Sequence, residues 1–206
     1  MEVLAKLFGS AARVKTLRLF LFNPEHVFDK QEVCRRSKLQ PHIVQREVAL
    51  FERIGLIKRR SFFKEVEQRR PRRKKAVKRR VRGWILNDMF PYRKPLQLFL
   101  LKTATFENNY ILRKLRSAGK LKVAIVAGVF IQDWDSRVDL LVVGDSLKIS
   151  KLERAIKDIE AEIGMELRYT VFNTKDFKYR LGIHDRLVRD ILDYPHQKLL
   201  DRLNVL

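Results

Sequence analysis

Three aspartates near the middle of the chain are the side chains best placed to do chemistry. Asp133, Asp135 and Asp139 lie within seven residues, and carboxylates two positions apart on a strand can jointly hold the metal ions of phosphoryl transfer. Arg137 precedes Asp139 by one strand repeat, so we expect its guanidinium to neutralise that carboxylate and repel a divalent ion. Asp133 and Asp135 could bend towards Asp139 and rebuild a metal site, although loop carboxylates lack the preorganisation of strand carboxylates. We expect no catalytic residue here.

The histidines and the cysteine do not form a second candidate site. The four histidines, at positions 26, 42, 184 and 196, are not paired at helical spacing, and Cys34 has no cysteine partner for a zinc site or a disulfide. We therefore expect no metal and no cofactor. The longest uncharged apolar stretch, Val123 to Ile131, has nine residues, against the roughly 20 that span a bilayer. A location in the reducing cytoplasm, away from membranes, is the simplest expectation.

Positive charge is the strongest feature of the composition. The net charge is +21, and residues 1–95 hold 26 basic and 9 acidic side chains, a net +17. Residues 58–82 alone carry +12, which indicates a polyanionic partner, above all nucleic acid. The residues expected to bind phosphates in this segment are Lys58, Arg59, Arg60, Lys64, Arg69, Arg70, Arg72, Arg73, Lys74, Lys75, Lys78, Arg79, Arg80 and Arg82.

The densest part of this segment, Gln68 to Arg80, holds nine lysines and arginines without interleaved aromatic residues. This pattern favours contacts with the phosphate backbone over stacking on bases. A solvated, disordered tip and a nuclear-import-like signal are the alternatives, because blocks of like charge are usually disordered when free.

Capping signals and apolar periodicity predict helices before the basic segment. The first helix follows Ser10, a good N-cap, and stops at Asn23-Pro24. A second helix follows Asp29, with Glu32 at the spacing of a capping box, and runs to about Lys38.

A third helix and then two strands are predicted next. Pro41 suits the first position of a helix, and Val44, Val48 and Phe51 form a buried stripe along it as far as Gly55. Strand-like patterns begin at Leu56 and return over Val81 to Leu86, on either side of the basic run. The order is three helices followed by a hairpin.

The segment "DKQEVCRRSKLQPHIVQREVALFERIGLI" resembles the helix-turn-helix of winged-helix transcription regulators, and the likeness covers roughly residues 8–88. It implies that the third helix enters the DNA major groove and that the hairpin is the wing. The alternative is the solvated face of an ordinary three-helix unit. The residues that the resemblance places against bases are Gln40, His42, Ile43, Gln45 and Arg46.

The second half alternates strands and helices and predicts a small mixed sheet. The predicted helices run from about Glu107 to Ala118 and from Ser150, with Glu153 completing a capping box, to a stop at Gly164. Two further helices are expected to be broken at Tyr194-Pro195. The predicted strands are Leu121 to Ala127, Val138 to Val143 and Leu167 to Phe172.

The motif "AGVFIQDWDSRVDLLVVGD" resembles minimal nucleotidyltransferases, over roughly residues 105–194. In that family a strand ends in a Gly-Ser turn and the next strand carries two carboxylates one residue apart. Here Gly128 is followed by Val129, and Arg137 stands where the first carboxylate is expected, which leaves Asp139 alone. The resemblance therefore implies an inactive member of the fold.

Together these patterns predict an α+β protein of two domains. Residues 1–90 form a winged helix with a basic wing at 58–82, and residues 91–206 form a nucleotidyltransferase-like domain with a mixed sheet. We expect a sequence-specific transcription regulator that binds double-stranded DNA, with the second domain serving as a partner-binding, sensing or homodimerising module. The alternatives are an active nucleotidyltransferase that modifies a protein or small molecule, and an RNA-binding accessory protein.

Overall fold

A computed structural model describes residues 2–70, 73–103 and 108–204, with side chains from Val3 onward except those of residues 66–77. The chain divides into two compact units. The first comprises Met1–Phe99 and Ala161–Met165, and the second Leu100–Glu160 and Glu166–Leu206. Helices and two separate small sheets make the protein α+β, as the sequence predicts.

Four helices open the first unit: α1 (Glu2–Phe8), α2 (Ala11–Leu21), α3 (Lys30–Ser37) and α4 (Pro41–Arg53). The N-caps predicted from the sequence are confirmed, because Ser10 Oγ accepts the Arg13 N–H at 3.0 Å and Asp29 Oδ1 accepts the Glu32 N–H at 2.8 Å. Glu32 does not complete the predicted capping box. Its carboxylate instead contacts His26 Nε2 at 3.1 Å.

The hairpin consists of β1 (Ile57–Arg70) and β2 (Arg73–Leu86), which pair antiparallel from Ile57↔Leu86 to Arg70↔Arg73. The strands are longer than predicted and take in most of the basic run. Phe28 forms an isolated bridge with Trp84, so β2 lies between Phe28 and β1. Gly83 permits this close approach, since a Cβ there would lie 2.5 Å from the Phe28 carbonyl oxygen.

The core of the first unit is formed by the apolar stripes that the sequence predicts. The Phe20 and Phe28 rings pack edge to face with centroids 5.4 Å apart, a favourable aromatic geometry. The buried side chains of this core include Val14, Leu17, Phe20, Leu21, Phe28, Val33, Val44, Val48, Phe51, Leu56, Ile57, Ile85 and Leu86.

The rest of the chain builds a mixed four-stranded sheet and its helices. The strands are β3 (Lys120–Val126), β4 (Leu140–Asp145), β5 (Tyr169–Phe172) and β6 (Gln197–Asp201). The sheet order is β5-β4-β3-β6, in which β3 is antiparallel to both neighbours and β4 is parallel to β5. The helices are α5 (Arg93–Lys102), α6 (Asn108–Arg116), α7 (Ile149–Ile163), α8 (Thr174–Gly182) and α9 (Arg186–Asp193).

Two expectations for this half are wrong in detail. Both helices near the C-terminus end before Pro195, and the residues after it form β6, which pairs with β3 at the sheet edge. The alternation in "QKLLD" is too short to separate a strand from a helix by period. Ser150 is not an N-cap, because α7 already begins at Ile149.

Helices α8 and α9 contribute to the core of the second unit. Phe177 of α8 and Val188 and Ile191 of α9 are buried with residues of β3 and β4. These packed elements fix the loop between β3 and β4, in which the three aspartates lie. The residues of this core are Val123, Ile125, Val138, Leu141, Val143, Phe177, Val188 and Ile191.

Candidate functional site

Helix α4 presents a mainly polar face because its fully buried apolar residues lie on the other side. Pro41 occupies the first turn, where a missing N–H is tolerated, and the stripe of Val44, Val48 and Phe51 is fully buried. Of the residues predicted to meet DNA bases, Ile43 is partly buried. Gln40, His42, Gln45 and Arg46 are exposed.

Glu47 interrupts the apolar stripe of α4 as a fully buried carboxylate. Its Oε2 accepts a hydrogen bond from Arg13 Nε at 2.8 Å, and its Oε1 accepts from Arg46 Nε and Nη2 at 3.3 and 3.2 Å. Arg46 is nevertheless 68% exposed, and a guanidinium has more N–H donors than these two bonds use. The buried carboxylate therefore orients an exposed arginine on the candidate base-reading face.

The cations at the base of the hairpin divide into two groups. Three of them are ion-paired: Lys58 lies 3.9 Å from Asp88, Lys64 lies 2.5 Å from Asp29, and Arg59 pairs with Glu52 of α4. The others form no ion pair with any residue whose side chain is described, and all are exposed. These are Arg60, Lys78, Arg79, Arg80 and Arg82.

Paired residues of antiparallel strands lie on the same face of the sheet, so the register assigns these cations to two faces. One face carries Phe63 opposite Arg80 and Ser61 opposite Arg82. At its base Ile57 and Leu86 are buried and Trp84 is partly buried. The remaining described residues of this face are exposed, and we call them the open face. They are Arg59, Ser61, Phe63 and Glu65 of β1 with Lys78, Arg80 and Arg82 of β2.

The ion pair of Lys64 with Asp29 ties the hairpin to the start of α3. Burial by itself would raise the pKa of Asp29, but the hydrogen bonds from Lys64 and from backbone N–H groups outweigh it and hold the pKa below its ordinary value. Asp29 thus acts as a helix cap and as the anchor of the hairpin.

At the tip of the predicted wing, the positions of the basic side chains lie outside the described part of the structure. The phosphate contacts predicted there all belong, except for Arg72, to the paired backbone of β1 and β2. They are Arg69, Arg70, Arg72, Arg73, Lys74 and Lys75.

The second candidate site, around Asp139, is closed by the protein itself. Asp139 is 2% exposed, and its Oδ1 accepts the Val129 N–H at 3.1 Å while its Oδ2 accepts the Arg168 N–H at 2.8 Å. The Arg168 guanidinium adds bonds to both oxygens, Nε to Oδ2 at 3.2 Å and Nη2 to Oδ1 at 3.3 Å. A metal ion could bind this carboxylate only by displacing these donors.

Gly128 completes this closed arrangement. Its φ is +53°, a conformation that favours glycine, and a side chain there would collide with Asp139 Oδ1. The backbone of the turn after β3 therefore surrounds the carboxylate of Asp139. In the resembled family the backbone of this turn is expected to approach a phosphate group instead.

Arg137 does not neutralise Asp139, and the expectation drawn from its spacing is wrong. Its Nη1 lies 3.0 Å from Asp190 Oδ2, and Arg168 takes the position beside Asp139 instead. Arg137 precedes β4, which begins at Leu140, so the two-residue repeat of a strand does not place it next to Asp139.

The loop aspartates do not gather around Asp139 in the described structure. Asp133 Oδ1 accepts the Asp135 N–H at 3.2 Å, a bond local to their exposed loop. Within the described ranges no three histidine, cysteine or acidic residues are grouped as metal ligands.

Two arginines that bind the buried carboxylates Glu47 and Asp139 are not predicted by the sequence. Arg13 and Arg168 each reach a buried carboxylate that is distant in sequence. A partial signal was present, since Glu47 falls on the apolar stripe of α4 and "ELRYTVF" carries Arg168 inside a predicted strand.

No helix in the described ranges is long and apolar enough to cross a membrane. Comparisons of the chain with protein-family models, with curated protein sequences and with solved structures gave no significant match.

Proposed function

We propose that residues 8–88 are a winged helix that binds double-stranded DNA in a sequence-specific manner and that the protein is a transcription regulator. The order of α2, α3, α4 and the hairpin, with an isolated bridge from Phe28 to β2, supports this reading. In such a unit the third helix enters the major groove while the hairpin reaches the backbone.

One observation carries the proposal: α4 and the hairpin of the same unit both present exposed side chains that suit DNA. Those of α4 are polar, and the hairpin has five exposed cations that have no acidic partner among the described side chains. Such cations repel one another until a polyanion relieves the repulsion. Lysine and arginine at phosphates supply affinity, whereas glutamine and arginine on a helix supply bidentate contacts to adenine and guanine edges.

The second unit is proposed to be a nucleotidyltransferase-like fold that does not catalyse. The support is the network of donors on Asp139, the carboxylate that remains at one of the two paired positions of the resembled family. Both of its oxygens already accept hydrogen bonds from Val129 and Arg168. Its role would then be to bind a partner protein, to sense a small molecule or to form a homodimer on DNA.

The DNA proposal is tested by the salt dependence of binding to duplex DNA. A variant with Lys78→Ser, Arg79→Ser, Arg80→Ser and Arg82→Ser should bind more weakly, with a slope of log affinity against log salt reduced by up to about 0.9 for each phosphate no longer neutralised. Fluorescence anisotropy over a series of salt concentrations measures both quantities.

A control removes charge from the second unit instead. Lys151, Lys175 and Lys178 are exposed there, and their replacement by serine should leave the slope nearly unchanged. An equal change of the slope in both variants would show that binding depends on net charge alone. An unchanged slope in the hairpin variant would refute phosphate binding by the hairpin.

A further inference from the structure

Phe62 and Phe63 are consecutive residues of β1, and strand geometry sends their side chains to opposite faces of the hairpin. Phe62 is partly buried and packs against the bridge, where its Cε1 lies 3.0 Å from the position of a Cβ on Gly83. Phe63 is 72% exposed on the open face. Packing within the hairpin thus accounts for Phe62, whereas the ring of Phe63 lies in solvent.

The surroundings of Phe63 separate it from an ordinary exposed apolar residue. Arg80 is its direct cross-strand partner, and Lys78 and Arg82 occupy the diagonal positions on the same face. Diagonal neighbours in a sheet are within reach of long side chains. Glu65 is the one acidic residue of the open face, so three cations and one carboxylate neighbour the ring. An exposed aromatic ring in such a mainly cationic setting suits a ligand that has both flat bases and phosphates.

One ion pair connects the open face to α4. Arg59, on the open face near the base of the hairpin, is ion-paired with Glu52 in the last turns of α4. A duplex that contacts α4 and continues along the open face beyond Arg59 would meet Phe63.

We propose that Phe63 is an apolar wedge that inserts its ring between neighbouring base pairs of the bound duplex, while Lys78, Arg80 and Arg82 hold the phosphates beside the opened step. This inference rests on the proposed DNA-binding function. Unstacking a base step opposes binding, so a wedge favours steps that open easily, such as pyrimidine–purine steps or a mismatch.

The test compares two duplexes that share one strand, one duplex fully paired and the other with a single central mismatch from one base change in the second strand. The wild-type protein should bind the mismatched duplex about tenfold more tightly, because part of its stacking is already lost. A 2-aminopurine beside the site should brighten when the protein unstacks it. Phe63→Ala should bring the affinity ratio close to one and abolish the brightening, and Phe63→Trp should retain both.

Met89 provides the matched control, because it is 84% exposed on the same unit but outside the hairpin. Met89→Ala should behave as the wild type. Since both side chains are exposed, neither variant should alter the thermal unfolding midpoint by more than a few degrees.

The outcomes separate this inference from the function on which it rests. If Phe63→Ala keeps the wild-type affinity ratio and brightening while duplex binding shows the expected salt slope, the wedge is refuted and the function stands. If the wild type prefers single strands and Phe63→Ala removes that preference, the ring is a stacking platform for single strands and the wedge is likewise refuted. If the protein binds no duplex at all, both proposals fail.

Discussion

Arg168 binds Asp139 through its main chain and through its side chain. The backbone N–H donates to Oδ2 at 2.8 Å, and the guanidinium reaches both oxygens at 3.2 and 3.3 Å. Asp139 also returns backbone bonds, since its N–H donates to the Arg168 carbonyl at 2.6 Å. The carboxylate therefore joins the start of β4 to the start of β5, which is a structural role.

This relationship predicts unequal losses of stability. Asp139→Ala leaves buried N–H groups without an acceptor and should lower the free energy of unfolding by about 3 kcal/mol. Arg168→Ala should lower it by only about 1 kcal/mol, because that side chain is 54% exposed. Urea unfolding followed by circular dichroism gives both values. Asp190→Asn is the control for a surface pair, and a loss there as large as that of Asp139→Ala would contradict the assigned role.

The misassigned arginine shows where sequence reasoning stops. Spacing indicates which residues share a face of one strand, but β4 starts after both Arg137 and Asp139. Arg168 immediately precedes the neighbouring strand β5, whose register pairs Leu140 with Tyr169. That pairing is a long-range contact, and no local pattern in a single sequence specifies it.

Local signals were sufficient elsewhere. The caps of α2 and α3, the proline that starts α4 and its buried stripe depend on neighbouring residues, and these predictions are confirmed. The length of the hairpin was underestimated because the many charges masked the strand pattern. The partner of Glu47 was missed for the same reason as Arg168, since Arg13 belongs to another helix.

Gly128 and Gly182 should respond in opposite ways to alanine. Gly128→Ala places a Cβ at φ +53° and against Asp139 Oδ1, so it should destabilise the protein by more than about 1 kcal/mol. Gly182 ends α8, and beyond its chain neighbours and the backbone of its own helix no atom lies within 4 Å of where its Cβ would stand. Alanine there should be neutral or stabilise by about 0.5 kcal/mol. Thermal unfolding of the two variants checks this order, and equal midpoints would contradict it.

Asp29 should make stability fall in acid. Because its pKa is lowered in the folded protein, its contribution is fully present above the unfolded value of about 4 and is lost as the pH falls through the folded value. Asn caps helices as well as Asp does, so Asp29→Asn isolates the charge. Unfolding in urea at a series of pH values should show a difference between wild type and variant at neutral pH that shrinks in acid. A difference in unfolding free energy that does not change with pH would contradict a lowered pKa of Asp29.

Gln45 and Arg46 should determine base preference. After a preferred duplex is selected from a random library, Gln45→Ala and Arg46→Ala should each relax the preference at particular positions, with about 1–3 kcal/mol for each bidentate contact. Glu47→Gln should relax the same positions as Arg46→Ala, because the buried carboxylate orients that guanidinium. Equal weakening on selected and random DNA would assign Gln45 and Arg46 to the phosphate backbone instead.

The last prediction is that the second unit transfers no nucleotide. Two-metal transfer depends on paired carboxylates that concentrate positive charge against a triphosphate. Here Asp139, the carboxylate that remains at one of the two paired positions of the resembled family, is buried and bound by Val129 and Arg168. Incubation with Mg²⁺ or Mn²⁺, labelled nucleoside triphosphates and cell extract should label nothing above background. Asp139→Asn, if folded, should leave duplex binding nearly unchanged. Metal-dependent labelling that Asp139→Asn abolishes would establish an enzyme, and its loss in Asp133→Asn or Asp135→Asn would show that the loop aspartates supply the missing ligands.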